Sequence, residues 1–549
     1  MELDRVFTKA NVRILHLLSD ESLHIREIAE KLGLSPAKVH SMIQLFKEYG
    51  LVTEHEEKNR KVITLNRANP AVQRIQGLMD GEEQHTEMIP LFETISPLDF
   101  RYYGRNKGIK DSLLPYLSEE GFIRYLAKVE SALTATLAEY GLCSKKVARE
   151  VADASKKVSA QEVYLEEDRI RHNIRALANA IRKKVSDEAK PFVHFTSTSH
   201  DIICSADAAR FKDASLEVLL PALVRLEKTL IGLALRERST LQIGRTHGQH
   251  AEPITFGFAI AQYVSRIGER SLFLKKAANN LRGKMAGAVG SYNASSLFFS
   301  DPEEFERRVL EKVGIKPSPI STQVVQAEYM TDFIHALVSS LGVLANLADD
   351  MRHLQRSEIA EVGEFFEAKQ VGSSTMPHKR NPINFENVKS MWKTFMPRMM
   401  TQYMDQICEH QRDLTNSASS RFLTEIIAGL YISIVRLDKT MAKLVVDKEH
   451  LDWNFSSSRE KIAAEPAYLL LAASGHPDAH EYVRELTLKS EKTSASFPKL
   501  LFEDETLKPF LKRLTQKQRD LIKNPEKYTG IASKKVEKIC GFWKKEFGL

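Results

Sequence analysis

At 549 residues the chain is longer than one compact core can organise, so roughly three or four domains are expected. Hydrophobic residues at 43% and charged residues at 28% exclude a disordered or fibrous chain. The 79 basic and 72 acidic side chains leave +7, too dilute for a dedicated nucleic-acid binder and equally suited to an anionic small substrate.

Four scattered cysteines (Cys143, Cys204, Cys408, Cys540) form no CxxC pair, which argues against a disulfide framework or a thiolate metal site and for a reducing cytoplasm. The opening MELDRVFTKANVR has no apolar signal core. His335, Ser339, Ser340 and Arg436 interrupt the most apolar later stretches, so no membrane span is expected.

Val12, Leu15 and Leu18, then Ile25, Ile28, Ala29 and Leu32, repeat at helical spacing and predict two short helices before Gly33. Ser35-Pro36 supplies a cap and a first-turn proline for a third, whose buried stripe would be Val39, Met42, Ile43, Phe46 and Tyr49. Residues 51–53 and 62–65 read as strands around the polar turn 58–61. Helix-turn-helix plus wing is the pattern, filling residues 1–66. Its third helix would expose Lys38, His40, Ser41, Gln44 and Lys47 to base edges. Glu54, Glu56 and Glu57 on the wing would repel phosphates, so DNA and a protein partner stand as equal readings.

Asn69-Pro70 and a polar DGEEQHTE run mark residues 67–90 as a linker. Beyond it, residues 216–238, 255–281, 331–356 and 383–411 are long helical patterns with no repeat of fixed period, and the body is mainly α.

The most specific segment is GSSTMPHKRNP, Gly372 to Pro382, which crowds a glycine, three hydroxyls, a lysine and an asparagine into a loop between helices. Converging amides, hydroxyls and a lysine suit a carboxylate whose charge grows as a proton leaves the adjacent carbon. Residue chemistry alone would choose a histidine as the base, because an unassisted serine has no useful pKa near neutrality. His247 and His250, three apart with Glu252 nearby, resemble a metal set superficially. Gly248 and Pro253 argue against a ligand-bearing helix there, and no metal is expected.

GSSTMPHKRNP resembles the signature loop of the fumarase, aspartase, argininosuccinate lyase and adenylosuccinate lyase superfamily. GRTHGQHAEPITFG (Gly244 to Gly257) and HFTSTSHD (His194 to Asp201) resemble its other two conserved segments, and the likeness spans residues 96–549. SPLDFRY (Ser96 to Tyr102) and QRDLTNSASSR (Gln411 to Arg421) are similar to segments of the adenylosuccinate lyase family. Arg101, Arg412 and Arg421 suit a phosphate, which a sister lyase acting on an amino acid would not need.

The resemblance implies a fumarase/aspartase-type helical fold with a long central bundle, divided as 91–195, 196–445 and 446–549, after the small winged-helix domain. It implies a homotetramer with active sites shared by three subunits, and no cofactor. By resemblance Ser373 is the base, His247 the general acid and His172 its assistant; Thr198, Ser199, Lys379 and Asn381 hold carboxylates, while Gln323 binds the succinyl or purine portion. Arg101 and Tyr102 contact substrate, with Arg412, Ser417 and Arg421 at the ribose-phosphate end. His378 would tune the loop. The chain departs from the family in two places, Asn173 where an aspartate is usual after His172, and Gln326-Ala327-Glu328 after the STQ segment. The competing reading is a DNA-binding regulator that senses a nucleotide through a lyase body.

Overall fold

The computed structural model describes residues 9–57, 60–69, 71–72, 91–367, 369, 372, 374–376 and 378–549. The chain separates into two compact units, Met1–Ile95 and Ser96–Leu549, each with its own apolar core.

In the first unit, α1 (Lys9–Asp20), β1 (Leu23–His24), α2 (Ile25–Leu32), α3 (Pro36–Glu48), β2 (Val52–Glu57) and β3 (Arg60–Leu65) form a winged helix with antiparallel strand order β1-β3-β2. Gly33 at φ 65° closes α2, and Ser35 Oγ accepts the Lys38 N–H at 3.3 Å to open α3. Leu15, Leu18, Ile28, Ala29, Val39, Ile43 and Phe46 are buried as predicted, whereas the Val12 side chain lies outside the described residues. Ile14 joins them, off the expected stripe, because β3 covers that side of α1. The wing strands are longer than predicted, and β1 was not foreseen, since two residues carry no period. The tip residues 58–59 and most of the predicted linker, 70 and 73–90, lie outside the described residues.

The second unit begins with α4 (Lys107–Leu117), α5 (Glu119–Glu139), α6 (Lys145–Ser155), α7 (Ala160–Ile170) and α8 (Asn173–Arg182). Next, α9 (Ser199–Ala214) continues through a π-helical turn, Ser215–Leu219, into α10 (Leu220–Arg236), so the pattern at 216–238 is the second half of one rod. Pro221 cannot donate a backbone hydrogen bond and crowds the preceding turn, which the wider π geometry relieves. The hairpin β4 (Leu241–Thr246) and β5 (Gln249–Thr255) leads to α11 (Phe256–Asn279), β6 (Arg282–Gly283), α12 (Pro302–Val313), β7 (Lys316–Pro317), α13 (Glu328–Leu354) and β8 (Val362–Gly363). After these come α14 (Ile383–Phe395), α15 (Arg398–Met404), α16 (Leu423–Ala442) and β9 (Val445–Val446).

The helical pattern predicted over 383–411 is corrected: it breaks at Met396-Pro397, where Pro397 has no backbone N–H to donate to the preceding turn, and ends at Met404. By length and composition α13 is apolar enough to cross a membrane, yet Phe333, Ile334, Leu337, Leu341, Leu344 and Leu347 are fully buried against α11, α14 and α16.

The C-terminal helices α17 (Lys448–Ile462), α18 (Ala464–Ala473), α19 (Ala479–Thr493), α20 (Phe497–Glu503), α21 (Lys508–Leu511) and α22 (Gln516–Lys523) gather a separate apolar cluster from Ala463 to Ile522. The last helix, α23 (Ala532–Phe547), returns to the main core with Val536, Cys540 and Trp543. Trp543 lies so close to Gly268 of α11 that a Cβ there would sit 2.5 Å from the indole.

Candidate functional site

The signature loop is an excursion whose ends are clasped. At its root, buried Glu364 accepts the backbone N–H groups of Asn384 and Phe385, each at 2.9 Å, and the Asn384 side-chain amide at 2.6 Å. One carboxylate thereby caps α14 and ties residue 364 to residue 384. Burial raises the Glu364 pKa against the pull of those donors. Inside the loop, Asn381 Nδ2 donates to the Gly372 carbonyl at 3.1 Å and Gln355 Nε2 to that of Arg380 at 3.3 Å. A Cβ on Gly372 would meet the Lys379 carbonyl oxygen at 2.0 Å, so only glycine closes this neck. Lys379 and His378 are exposed on the excursion, and Ser373, the candidate base, lies outside the described residues.

His247 occupies the tip of the β4–β5 hairpin. With Gly248 it forms the two-residue connection at φ 53° and 76°, both positive as a type I′ turn requires. The hairpin is tied down below its tip. Fully buried Glu361 accepts Arg245 Nη2 at 2.6 Å, Gln242 Nε2 at 2.8 Å and Asn454 Nδ2 of α17 at 2.9 Å. His250 Nδ1 lies 2.7 Å from Ser458 Oγ, with its pKa lowered by burial and then by Arg245. His247 itself is exposed. Among the described residues no three His, Cys, Asp or Glu side chains are placed to hold a metal ion.

The HFTSTSHD segment is organised by residues the sequence reading did not single out. Thr198 precedes α9, and Asp201, fully buried, accepts its N–H at 2.8 Å. Asp201 also accepts the backbone N–H of Ala286 at 3.1 Å and pairs with Lys284, which is equally buried and donates to the Gly287 carbonyl at 2.9 Å. Thr198 and Ser199 are thus held against residues Lys284 to Gly287 by one buried carboxylate. Next to them, His200 is driven down to about 4 by burial, then by Arg412 and Lys284, and so stays neutral near pH 7.

The remaining predicted residues divide between two cavities with no lining residue in common. One, of about 700 Å³, is lined by His200, Cys204, Thr322, Val324 and Arg412. Gln323 sits half-buried in the turn between those two lining neighbours, while Ser417 and Arg421 are exposed in the segment that precedes α16. The other, of about 920 Å³, is lined by Arg101, Tyr102, Glu364, Asn384 and Arg436. Arg101 and Tyr102 reach it from a π-helical turn, Leu98–Gly104, and the Tyr102 hydroxyl accepts Asn387 Nδ2 at 3.0 Å. His172 stands exposed before α8, its Nδ1 accepting the Arg175 N–H at 3.2 Å. One chain therefore brings Arg101 and Tyr102 to the loop clasp and Arg412 to His200, and leaves His172 and His247 on its surface.

A family model described as Lyase matches residues 104–396, and one described as Adenylosuccinate lyase C-terminal matches residues 408–527. An Adenylosuccinate lyase of Archaeoglobus fulgidus is 32% identical, the match covering 81% of this chain and 98% of the relative. The chain belongs to the adenylosuccinate lyase family. It is a lyase. Adenylosuccinate lyase of Pyrococcus horikoshii is 33% identical over 82% of this chain and 98% of its own length. The fold is shared with a fumarate lyase from Mesorhizobium sp. BNC1, TM-score 0.69 at 20% identity over 78% of this chain and 97% of that one. Residues 11–53 match a model described as Winged helix-turn-helix DNA-binding.

On that first unit Lys38, His40, Ser41 and Gln44 are exposed as predicted. Lys47 is a correction: it is ion-paired with Glu54 of β2, which also holds Lys61 at 3.0 Å, so the wing carboxylate consumes its charge. Those two lysines, in turn, hold the Glu54 pKa low.

Proposed function

We propose that this adenylosuccinate lyase family member splits adenylosuccinate into AMP and fumarate, and succinyl-aminoimidazole-carboxamide ribotide into the carboxamide ribotide and fumarate. The observation that carries the reading is the match to curated adenylosuccinate lyases along 98% of their length. In this reaction a base takes the succinyl Cβ proton, the adjacent carboxylate spreads the resulting charge, the C–N bond breaks, and an acid returns a proton to nitrogen. Ser373 is the base, His247 the acid assisted by His172; Lys379, Asn381, Thr198 and Ser199 hold the carboxylates, and Gln323 the succinyl or purine portion. Arg101, Tyr102, Arg412, Ser417 and Arg421 hold the nucleotide.

A homotetramer with each site built from three copies accounts for the exposure of His172 and His247 on a single chain. Exposed Met400, Met404, Ile407, Leu414 and Phe422 offer apolar surface for such packing. The lyase body would divide as 91–195, 196–445 and 446–549. Purine biosynthesis in the cytoplasm is the setting. The deciding experiment is fumarate release from adenylosuccinate by the pure full chain, followed by its ultraviolet absorbance. Turnover that disappears in Ser373→Ala supports the reading, and no turnover by the wild type rejects it.

The winged helix favours a second role, duplex DNA bound through Lys38, His40, Ser41 and Gln44, with the lyase body sensing nucleotide. Salt-dependent binding of duplex DNA by the full chain, altered by AMP, would establish it; no binding at low salt would leave the module to a protein partner.

A further inference from the structure

His247 makes no hydrogen bond with a described residue of its own chain, so its position at the hairpin tip is inherited from the strands beneath it. Those strands rest on α17, the first of the C-terminal helices. Leu241 and Ile243 of β4 pack with Phe455 and Ile462 of α17 in a small apolar cluster of their own. His250 of β5 meets Ser458 of the same helix at 2.7 Å.

Glu361 is where these pieces join. Its backbone is pinned on both sides: the N–H donates to the Leu354 carbonyl at the end of α13, and the carbonyl accepts the Asp447 N–H just before α17, each at 2.9 Å. Its fully buried carboxylate takes Asn454 Nδ2 of α17 at 2.9 Å and two donors of β4, Gln242 Nε2 at 2.8 Å and Arg245 Nη2 at 2.6 Å. Residues three apart on a regular strand face opposite sides, yet Gln242 and Arg245 converge on one carboxylate. The hairpin is bulged at that point: Ala251 and Glu252 together stand opposite Gly244, and a bulge bends and twists its strand pair. A Cβ on Gly244 would lie 2.7 Å from the Glu252 carbonyl oxygen, so glycine is what admits the bulge. Beyond it, Arg245 is two residues from His247.

We propose that Glu361 is a positioning residue for His247: through Gln242 and Arg245 it fixes the bend of the hairpin on α17, and with it the place from which His247 delivers its proton. This rests on the function proposed above, in which His247 is the acid. A charge-assisted bond between a buried carboxylate and a guanidinium holds direction as well as distance, and a shift of about 1 Å in an acting group costs about 100-fold in rate.

The test uses the full-length wild type, Glu361→Gln, Arg245→Met and Arg245→Lys, each checked for native circular dichroism, with Glu361→Gln and Arg245→Met repeated in a His247→Ala background. Glu361→Gln and Arg245→Met are expected to lower kcat about 10- to 100-fold with KM within about three-fold, and Arg245→Lys to recover part of the loss. In the His247→Ala background Glu361→Gln should cost less than about two-fold, because nothing is left for it to position. An equal loss with and without His247, or kcat near wild type in Glu361→Gln, overturns the proposal. Amide hydrogen exchange reads the tie without turnover: Glu361→Gln should quicken exchange across residues 241–255 and leave α11 and α13 as they were. Unchanged exchange in the hairpin, or quickening throughout the chain, overturns it. If Glu361→Gln does not fold, Arg245→Met carries the same comparisons. If the wild type releases no fumarate, the lyase reading fails separately, and the exchange result alone decides whether Glu361 holds the hairpin; if only His247→Ala turns over too slowly to measure, exchange and the division of the loss between kcat and KM decide.

Discussion

Glu227 sits on α10 with no exposed surface, and neither of its carboxylate oxygens has a hydrogen-bond partner. Burial lifts its pKa from 4.5 to about 9. The folded chain therefore keeps the proton across the neutral range, while the unfolded chain releases it near 4.5. The sign follows: stability is fully present below about pH 4.5 and is lost as pH rises toward 9, at about 1.4 kcal/mol per pH unit. By about pH 7.5 the loss is about 4 kcal/mol. Glu227→Gln removes the titration while keeping the shape. Urea unfolding of wild type and variant at about pH 5, 6.5 and 8 measures the effect. The two proteins should differ by less than about 1 kcal/mol at the lowest pH, with the variant more stable by about 4 to 5 kcal/mol at the highest. Parallel stability curves across that range would show that Glu227 is ionised in the fold and refute the reasoning.

Gly372→Ala should abolish fumarate release by at least about 100-fold with the melting temperature little changed, because the added carbon forces the Lys379 carbonyl out of the loop neck. Activity near wild type would show that the neck opens freely. Lys284→Met leaves Asp201 buried without its cation and should cost about 3 to 5 kcal/mol in urea unfolding; a loss under about 1 kcal/mol would mean that water or backbone donors suffice. Mixing inactive Ser373→Ala and His247→Ala proteins under subunit exchange should restore partial activity, and verified mixed tetramers that stay inactive would count against shared sites.

The family was legible in the sequence wherever a contiguous motif carried it. The three segments resembling the superfamily and the two similar to the adenylosuccinate lyase family were readable because their residues lie within a few positions of each other along the chain. The carboxylates that hold those motifs in place were not. Glu361 joins Gln242, Arg245 and Asn454, Asp201 meets Lys284, and Glu364 meets Asn384 and Phe385. Each is a lone acid with partners about 20 to 120 positions away, and such a pair leaves no period to detect. Pro397 was the opposite case, a visible breaker overlooked within a strong helical pattern.

From its residues alone the chain determined a winged helix through Gly33, Ser35 and an apolar stripe, a mainly helical body, and the family to which its loop belongs. Those features are local, set by backbone sterics, capping and repeat spacing. Which cavity holds Arg101 and which holds Arg412, and that His172 and His247 stand on the surface, were decided only by tertiary structure. The energy of a buried charge depends on what surrounds it in space, and neighbours distant in the chain do not announce themselves in sequence.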